Sequence, residues 1–210
     1  MKRTRATTEY RKELRGKILE VALCEFKQKG IRAVKMDDIA RMLTISKRTL
    51  YEIYPNKEEL LLECFKFTKE HEEAEVATFL KEAPRTTMDI LLNFYRTRMK
   101  ELSELPPTFL TEIDRYPLVV EFLKQKHESS QEKMKQFFQR GVEEGYFRED
   151  VDYTLIARLG ENMMHNAMVK QLYIEYELPY IFRNVIFLFL RGFCTRKGLD
   201  IVDKTLNENP

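Results

Sequence analysis

The sequence is short of the residues that turn and break chains. Seven glycines and seven prolines in 210 residues fall well below the roughly 12% of ordinary usage. With 33% charged residues as well, this argues against a many-stranded sandwich or barrel, which needs turn formers at short intervals. Three cysteines, Cys24, Cys64 and Cys194, are odd in number and far apart, so no disulfide framework is expected. No apolar run approaches the roughly 20 residues of a membrane span. The longest, Val185 to Leu190, is closed by Arg183 and Arg191. The basic start, Met1-Lys2-Arg3-Thr4-Arg5, is not followed by the apolar core of a signal peptide. What remains is 43% hydrophobic, with fourteen Phe and ten Tyr, enough to bury a core. A cytoplasmic, membrane-free, all-α protein is expected.

Catalytic and metal-binding patterns are equally scarce. His71-Glu72-Glu73-Ala74-Glu75 lacks the second His, four residues on, that a zinc helix requires. There is no Walker-type loop, no G-x-S-x-G and no closely spaced Cys or His set. Glu143-Glu144 and Glu149-Asp150-Asp152 flank Gly145 as ordinary acidic loop ends. No enzyme activity, cofactor or metal is expected.

The net charge of +2 hides a division. Residues 1–55 hold 14 Lys and Arg against 7 Asp and Glu, while residues 56–210 hold 22 against 27. A basic head on an acidic body suggests that the head meets a polyanion.

Leu14, Ile18, Val21, Ala22 and Phe26 recur at spacings of three and four, which predicts a helix from about Thr8 to Lys29, stopped by Gly30. A short helix from about Met36 to Leu43 follows, then the connection Thr44-Ile45-Ser46, then a second short helix from Lys47 to about Ile53 with Ser46 as its cap. Asn56 and Glu59 form a capping box for a long helix from Lys57 toward Lys81. Further helices are expected near 85–103, 107–114, 118–144, 152–173 and 179–196. Two short helices joined tightly after a basic amphipathic helix make a helix-turn-helix pattern. Its second helix has to fit a major groove about 12 Å wide while the first braces it across the backbone. Leu50 and Ile53 take the inner face, leaving Lys47, Arg48, Thr49 and Tyr51 as outward donors.

From Lys17 to Leu62 the sequence resembles, in order and spacing and without a gap, the DNA-binding domain of tetracycline-repressor (TetR/AcrR-type) regulators. The shared residues are Ile18-Leu19 with Ala22 and Phe26, Gly30, Asp38-Ile39-Ala40, Ile45-Ser46, Leu50-Tyr51, Tyr54 and Asn56-Lys57-Glu58-Glu59-Leu60. The resemblance implies a three-helix DNA-binding domain at residues 1–56, joined to a larger helical effector-binding and dimerisation domain at 57–210. It places Ser46, Lys47, Arg48, Thr49 and Tyr51 on the recognition helix, Arg48 being the best reader of a guanine edge. Tyr54 and Lys57 fall where the family binds phosphate. The plainer alternatives are core packing for Tyr54 and a solvated lysine for Lys57.

Two departures stand out. Val34-Lys35 replace the family's Thr-Thr pair, which removes a capping hydroxyl and makes Lys35 a candidate phosphate contact. Thr44 stands where the family favours Gly, so either a left-handed Thr44 or a reshaped turn is expected. Lys2, Arg3 and Arg5 add attraction for DNA, as a loose tail or within a neighbouring minor groove.

The body carries weaker signals. Tyr180, Ile181, Val185, Leu188 and Phe189 belong to a helix that is apolar nearly all round. As the resemblance implies, this helix and the one before it pair with their copies in a homodimer; the same pattern also suits the centre of a monomeric bundle. A dimer would set two recognition helices about 34 Å apart over a roughly palindromic operator. Met163, Met164, His165, Asn166 and Met168, with Phe94, Met99, Phe109, Tyr116 and Phe122, are candidates for an apolar effector pocket; each also suits plain core packing. The expected function is a sequence-specific DNA-binding transcriptional regulator, a repressor released by a small apolar or amphipathic effector. The alternative is a helical dimeric interaction protein of the same fold that has lost DNA binding.

Overall fold

The computed structural model describes the backbone of residues 2–208 and the side chains of residues 9–205. Among the described residues the chain forms ten α-helices and two single 3-10 turns. It divides into two compact units, Met1–Phe79 with Leu105–Gln125, and Leu80–Glu104 with Lys126–Pro210. The expected domain boundary after Asn56 falls inside the first unit, called the head below; the second is the body.

In the head, α1 spans Lys2–Lys29, α2 Met36–Met42, α3 Lys47–Ile53 and α4 Lys57–Glu82. Most of the expected stripe of α1 is buried: Ile18, Ala22 and Phe26 are sealed from solvent together with Ile39, Leu50, Leu60 and Leu61, Leu14 is buried and Val21 is half-buried. Each of the larger side chains among these contributes roughly 1.5–3 kcal/mol of transfer free energy. α1 starts at Lys2 rather than near Thr8, and the side chains of Lys2, Arg3 and Arg5 lie outside the described residues. The segment 105–125 adds α6, Pro107–Glu112, a 3-10 turn at Ile113–Arg115 and the first residues of α7, Pro117–Glu143. Phe109 of α6 is buried and stacks on Phe65 with ring centroids 6.1 Å apart. Glu112 Oε2 accepts the Arg32 N–H at 2.7 Å, and Glu58 Oε1 accepts the Leu118 N–H at 2.9 Å. Two carboxylates thus tie this segment to α4 and to the loop after α1.

The local caps follow the sequence. Ser46 Oγ accepts the Thr49 N–H at 3.0 Å. Asn56 Oδ1 accepts the Glu59 N–H at 2.9 Å, and Asn56 Nδ2 donates to Glu59 Oε1 at 3.0 Å, so the two residues cap each other. Lys35 precedes α2 without a side-chain cap, and Asp37 and Asp38 in the first turn supply the negative charge that the free N–H groups favour. Thr44 has φ 55°. Its N–H reaches Arg41 O at 3.1 Å and the Ile45 N–H reaches Ala40 O at 3.0 Å, the bond pair of a Schellman motif with Thr44 at the left-handed position. Of the two outcomes expected there, a left-handed Thr44 or a reshaped turn, the structure has the first.

In the body, α5 spans Thr87–Glu104, α8 Tyr153–Val169, α9 Leu178–Phe193 and α10 Arg196–Glu208. Phe137, Phe138, Phe147, Tyr153 and Phe193 form one aromatic cluster. α8 is shorter than expected: it stops at Val169, and Gln171 then turns left-handed at φ 57°. α10 lies beyond the last expected helix. It starts with Thr195 Oγ1 accepting the Gly198 N–H at 3.3 Å, and it buries Val202.

Candidate nucleic-acid interface

α3 has seven residues, and its two sides are chemically opposite. Leu50 is sealed in the head core, and Ile53 packs against that core. Lys47, Arg48, Thr49, Tyr51 and Glu52 carry the other side; of these Thr49 is half-buried, with its hydroxyl 2.8 Å from Ser46 Oγ. Fixing Leu50 therefore fixes which way the donors point: the apolar side anchors the rod and the polar side faces solvent.

The cations of this face are paired within the chain. Lys47 Nζ donates to Asp37 Oδ2 of α2 at 2.5 Å. Arg48 Nε donates to Glu52 Oε1, one turn on, at 2.9 Å. Arg11 of α1 approaches the other oxygen, Glu52 Oε2, at 3.9 Å. These pairs are exposed, Arg48 to 88% and Glu52 to 47% of their side chains, so water and salt screen them. Lys35 is exposed at the start of α2, and Arg41 projects from the same helix beside Asp38 at 3.3 Å.

Two expected phosphate ligands turn inward. Tyr54 is only 2% exposed, and its hydroxyl is covered and meets no hydrogen-bond partner among the described residues. The Arg15 guanidinium lies 5.2 Å from its ring centroid, and burial holds the phenol above its ordinary pKa. Lys57 Nζ donates to the carbonyls of Ile31 at 2.9 Å, Val34 at 2.8 Å and Arg32 at 3.3 Å. All three ammonium protons thus serve the loop between α1 and α2. Burial pushes the Lys57 pKa down, and Glu112 offsets part of that.

Three residues on or beside this face were not among the expected contacts. Glu52 is visible in sequence, four residues after Arg48 on a helix. Arg41 is signalled only by its place at the exposed end of α2. Arg11 carries no such signal, since its approach to Glu52 needs the packing of α1 on α3.

In the body, α8 sends Met164 and Met168 partly inward, while Met163, His165 and Asn166 are exposed. Met163 continues an exposed apolar line with Leu155 and Leu159, each four residues apart. On α9, Tyr180 and Leu188 are exposed, Leu188 to 61%; Val185 and Phe189 are half-buried and Ile181 is buried within the body. Phe94 is exposed, with the Arg98 guanidinium 5.7 Å from its ring centroid, and Met99 is half-buried. Phe109, Tyr116 and Phe122 belong to the head, where the first two pack on its core. Among the described residues no group of acidic, His and Cys side chains is placed to hold a metal ion, and no helix is long and apolar enough to cross a membrane.

Residues 18–64 match the family model for bacterial regulatory proteins, tetR family. No curated protein matches the chain's sequence. Solved structures share its fold. A TetR-family transcriptional regulator from Agrobacterium tumefaciens superposes with a TM-score of 0.69 at 16% identity, covering 88% of this chain and all of that one. A protein described as a transcriptional regulator, from Saccharomonospora viridis and in complex with choline, gives 0.70 at 17% identity, with 88% and 100% covered. A ketosteroid transcriptional regulator of Mycobacterium tuberculosis gives 0.54 at 18% identity, with 87% and 95% covered. Residues 18–64 thus match the DNA-binding domain of bacterial regulatory proteins of the tetR family, in keeping with the head's own geometry, and the chain shares the fold of solved TetR-family regulators over most of its length.

Proposed function

We propose that this chain is a homodimeric repressor that reads a roughly palindromic operator through α3 and leaves it when a small apolar or amphipathic molecule binds the body. The observation that carries the reading is the division of α3: Leu50 locked inside, Lys47, Arg48 and Tyr51 outside. Lys35, Ser46 and Thr49 complete the contact set. Arg48 reads a guanine edge, and Lys35 and Lys47 meet phosphates. One seven-residue helix specifies few base pairs, so a two-fold copy is needed, with half-sites one helical turn apart.

The exposed apolar residues Leu155, Leu159 and Met163 of α8, with Tyr180 and Leu188 of α9, support a two-fold contact through these helices, since an apolar surface of this kind seeks a partner. Val185 and Phe189 flank it. Ile181 serves the body's own interior instead. Met164 and Met168, adaptable and partly inward, are the better effector contacts on α8. The choline complex of the Saccharomonospora protein supports a small-molecule effector as a class. Such a molecule acts only by binding the DNA-free and DNA-bound states with different affinity.

One observation favours a second reading, a protein that keeps the fold without binding DNA: Lys47 and Arg48 are both neutralised by carboxylates of their own chain. A single experiment separates the two. Wild-type protein and the double variant Lys47→Ala/Arg48→Ala are titrated against a random-sequence duplex library, with size measured in parallel. Regulator chemistry predicts retention by the wild type, loss of it in the variant, and unchanged size of both. Affinity should also fall by roughly 10³ or more between 50 and 200 mM salt if six or more phosphates are neutralised. A wild type that retains no duplex, or a monomer on DNA, overturns the proposal.

A further inference from the structure

Resting on the reading of α3 as the DNA-facing helix, we propose that Glu52 is a specificity-determining positioning residue: its carboxylate holds the Arg48 guanidinium by Nε and leaves the two terminal amino groups to meet one guanine end-on.

A carboxylate on a surface that meets a polyanion lowers affinity for every duplex alike, because phosphate charge repels it whatever the sequence. Glu52 nevertheless stands on the exposed side of α3 beside Arg48 and Tyr51. Oε1 takes the Arg48 Nε–H at 2.9 Å, while Oε2 is turned toward Arg11 Nη2, 3.9 Å away on α1. The carboxylate thus lies between two cations on two helices, hydrogen-bonded to Arg48 and within ion-pair distance of Arg11.

The choice of donor atom matters. A guanidinium has five N–H donors in a rigid plane. Bidentate recognition of guanine O6 and N7 takes two of them side by side. With Nε engaged from behind, the Nη1 and Nη2 ends of Arg48 have no partner among the described residues. The fork is presented end-on and swings less about its long side chain. Freed from Glu52, Arg48 retains its charge but samples neighbouring bases and phosphates. Glu52 therefore trades general affinity for selectivity at one base pair in each half-site.

The test is selection from a random-sequence duplex library by the full-length wild type, Glu52→Ala, Glu52→Gln and Arg48→Ala, followed by competition between the selected duplex and its single-base-pair variants. The wild type should prefer G·C at one position per half-site by about ten-fold or more, the range of a good bidentate contact. In Glu52→Ala that preference should shrink toward none at that position alone, while binding to unselected DNA tightens several-fold. Glu52→Gln keeps an acceptor oxygen at the same reach and should restore part of the preference. Arg48→Ala should lose the same base pair. The proposal fails if Glu52→Ala keeps the wild-type preference at every position, with or without tighter binding, because the pair is then only a surface contact that DNA breaks. If the wild type itself enriches no sequence, the DNA-reading proposal falls, and this one falls with it. Glu52 is exposed and absent from the head core, so unchanged melting of both Glu52 variants separates these outcomes from misfolding.

Discussion

The head and the body bury their apolar residues in different ways, and the difference explains what each leaves outside. The head closes over a largely aliphatic core drawn from α1 to α4 and α6, with Ile18, Ile39, Leu50 and Leu60 sealed. Around α3 its outer side carries the paired cations Lys47 and Arg48. The body instead centres on aromatic rings: Phe138 stacks on Tyr153 at 4.5 Å between centroids, and Phe147 meets Phe193 edge-on at 5.2 Å. It still leaves Leu155, Leu159 and Leu188 in solvent. A surface of donors suits a polyanion, whereas a surface of leucines suits another apolar surface. On the proposed function, the two units would divide recognition between them by what they leave exposed around α3 and along α8 and α9.

Overfilling the aromatic cluster should damage the body and spare the head. Gly141 lies on α7 against the face of Phe147, and a Cβ there falls 2.0 Å from Phe147 Cδ2 and 2.3 Å from Cε2. Phe147 is itself enclosed by Phe137, Phe138 and Tyr153, so it has nowhere to retreat without moving other rings. Gly141→Ala should cost about 1–3 kcal/mol or more, the range for overpacking a dense core. Amide exchange locates the damage. Protection should fall along the body's part of α7 and along α9 while α2 and α3 keep theirs; equal loss in both units would show that they unfold as one and would void the contrast.

Features governed by near neighbours in the chain are legible in sequence. The limits of α2 and α3, the Ser46 cap, the Asn56–Glu59 box and the left-handed Thr44 depend on four or five consecutive residues, and the structure holds each of them. What depends on distant backbone is not legible. Nothing near Lys57 in sequence announces that the carbonyls of residues 31, 32 and 34 lie within its reach. Tyr54 likewise offers the same phenol to a phosphate or to a core until the packing of α1 decides. In the body, the apolar excess of α9 hides which side faces out: Ile181 is buried while its neighbour Tyr180 is exposed. Periodicity carries α8 too far because a left-handed Gln171 has no glycine to announce it, and it misses α10 because Gly198 sits in that helix's first turn. The division of α3 is clear because one buried leucine settles it.

Lys57 offers the matching perturbation in the head. If its three carbonyl bonds are its role, Lys57→Met removes charged donors from a half-buried loop and should destabilise the head by about 1–3 kcal/mol, the usual cost of orphaned carbonyls. The salt dependence of DNA binding should then keep its slope. A phosphate-binding role gives the opposite result: stability little changed, and a salt slope shallower by about one per phosphate. Urea titration and binding at several salt concentrations, on the same samples, distinguish the two roles.

The smallest effect belongs to Thr44. A left-handed conformation costs an L-residue roughly 1–2 kcal/mol, and a β-branched side chain sits there especially poorly. Thr44→Gly relieves that strain, but it also frees the unfolded chain, which takes back about 0.5–1 kcal/mol. The net should be a gain of up to about 1.5 kcal/mol, seen as a higher urea midpoint with an unchanged slope. Both bonds of the motif, Thr44 N–H to Arg41 O and Ile45 N–H to Ala40 O, use backbone alone, so the angle between α2 and α3 should survive the change and DNA affinity should stay level. A drop in affinity alongside the gain in stability would mean that the strained threonine tunes how α3 is presented, and the head would then owe part of its function to a residue that weakens it.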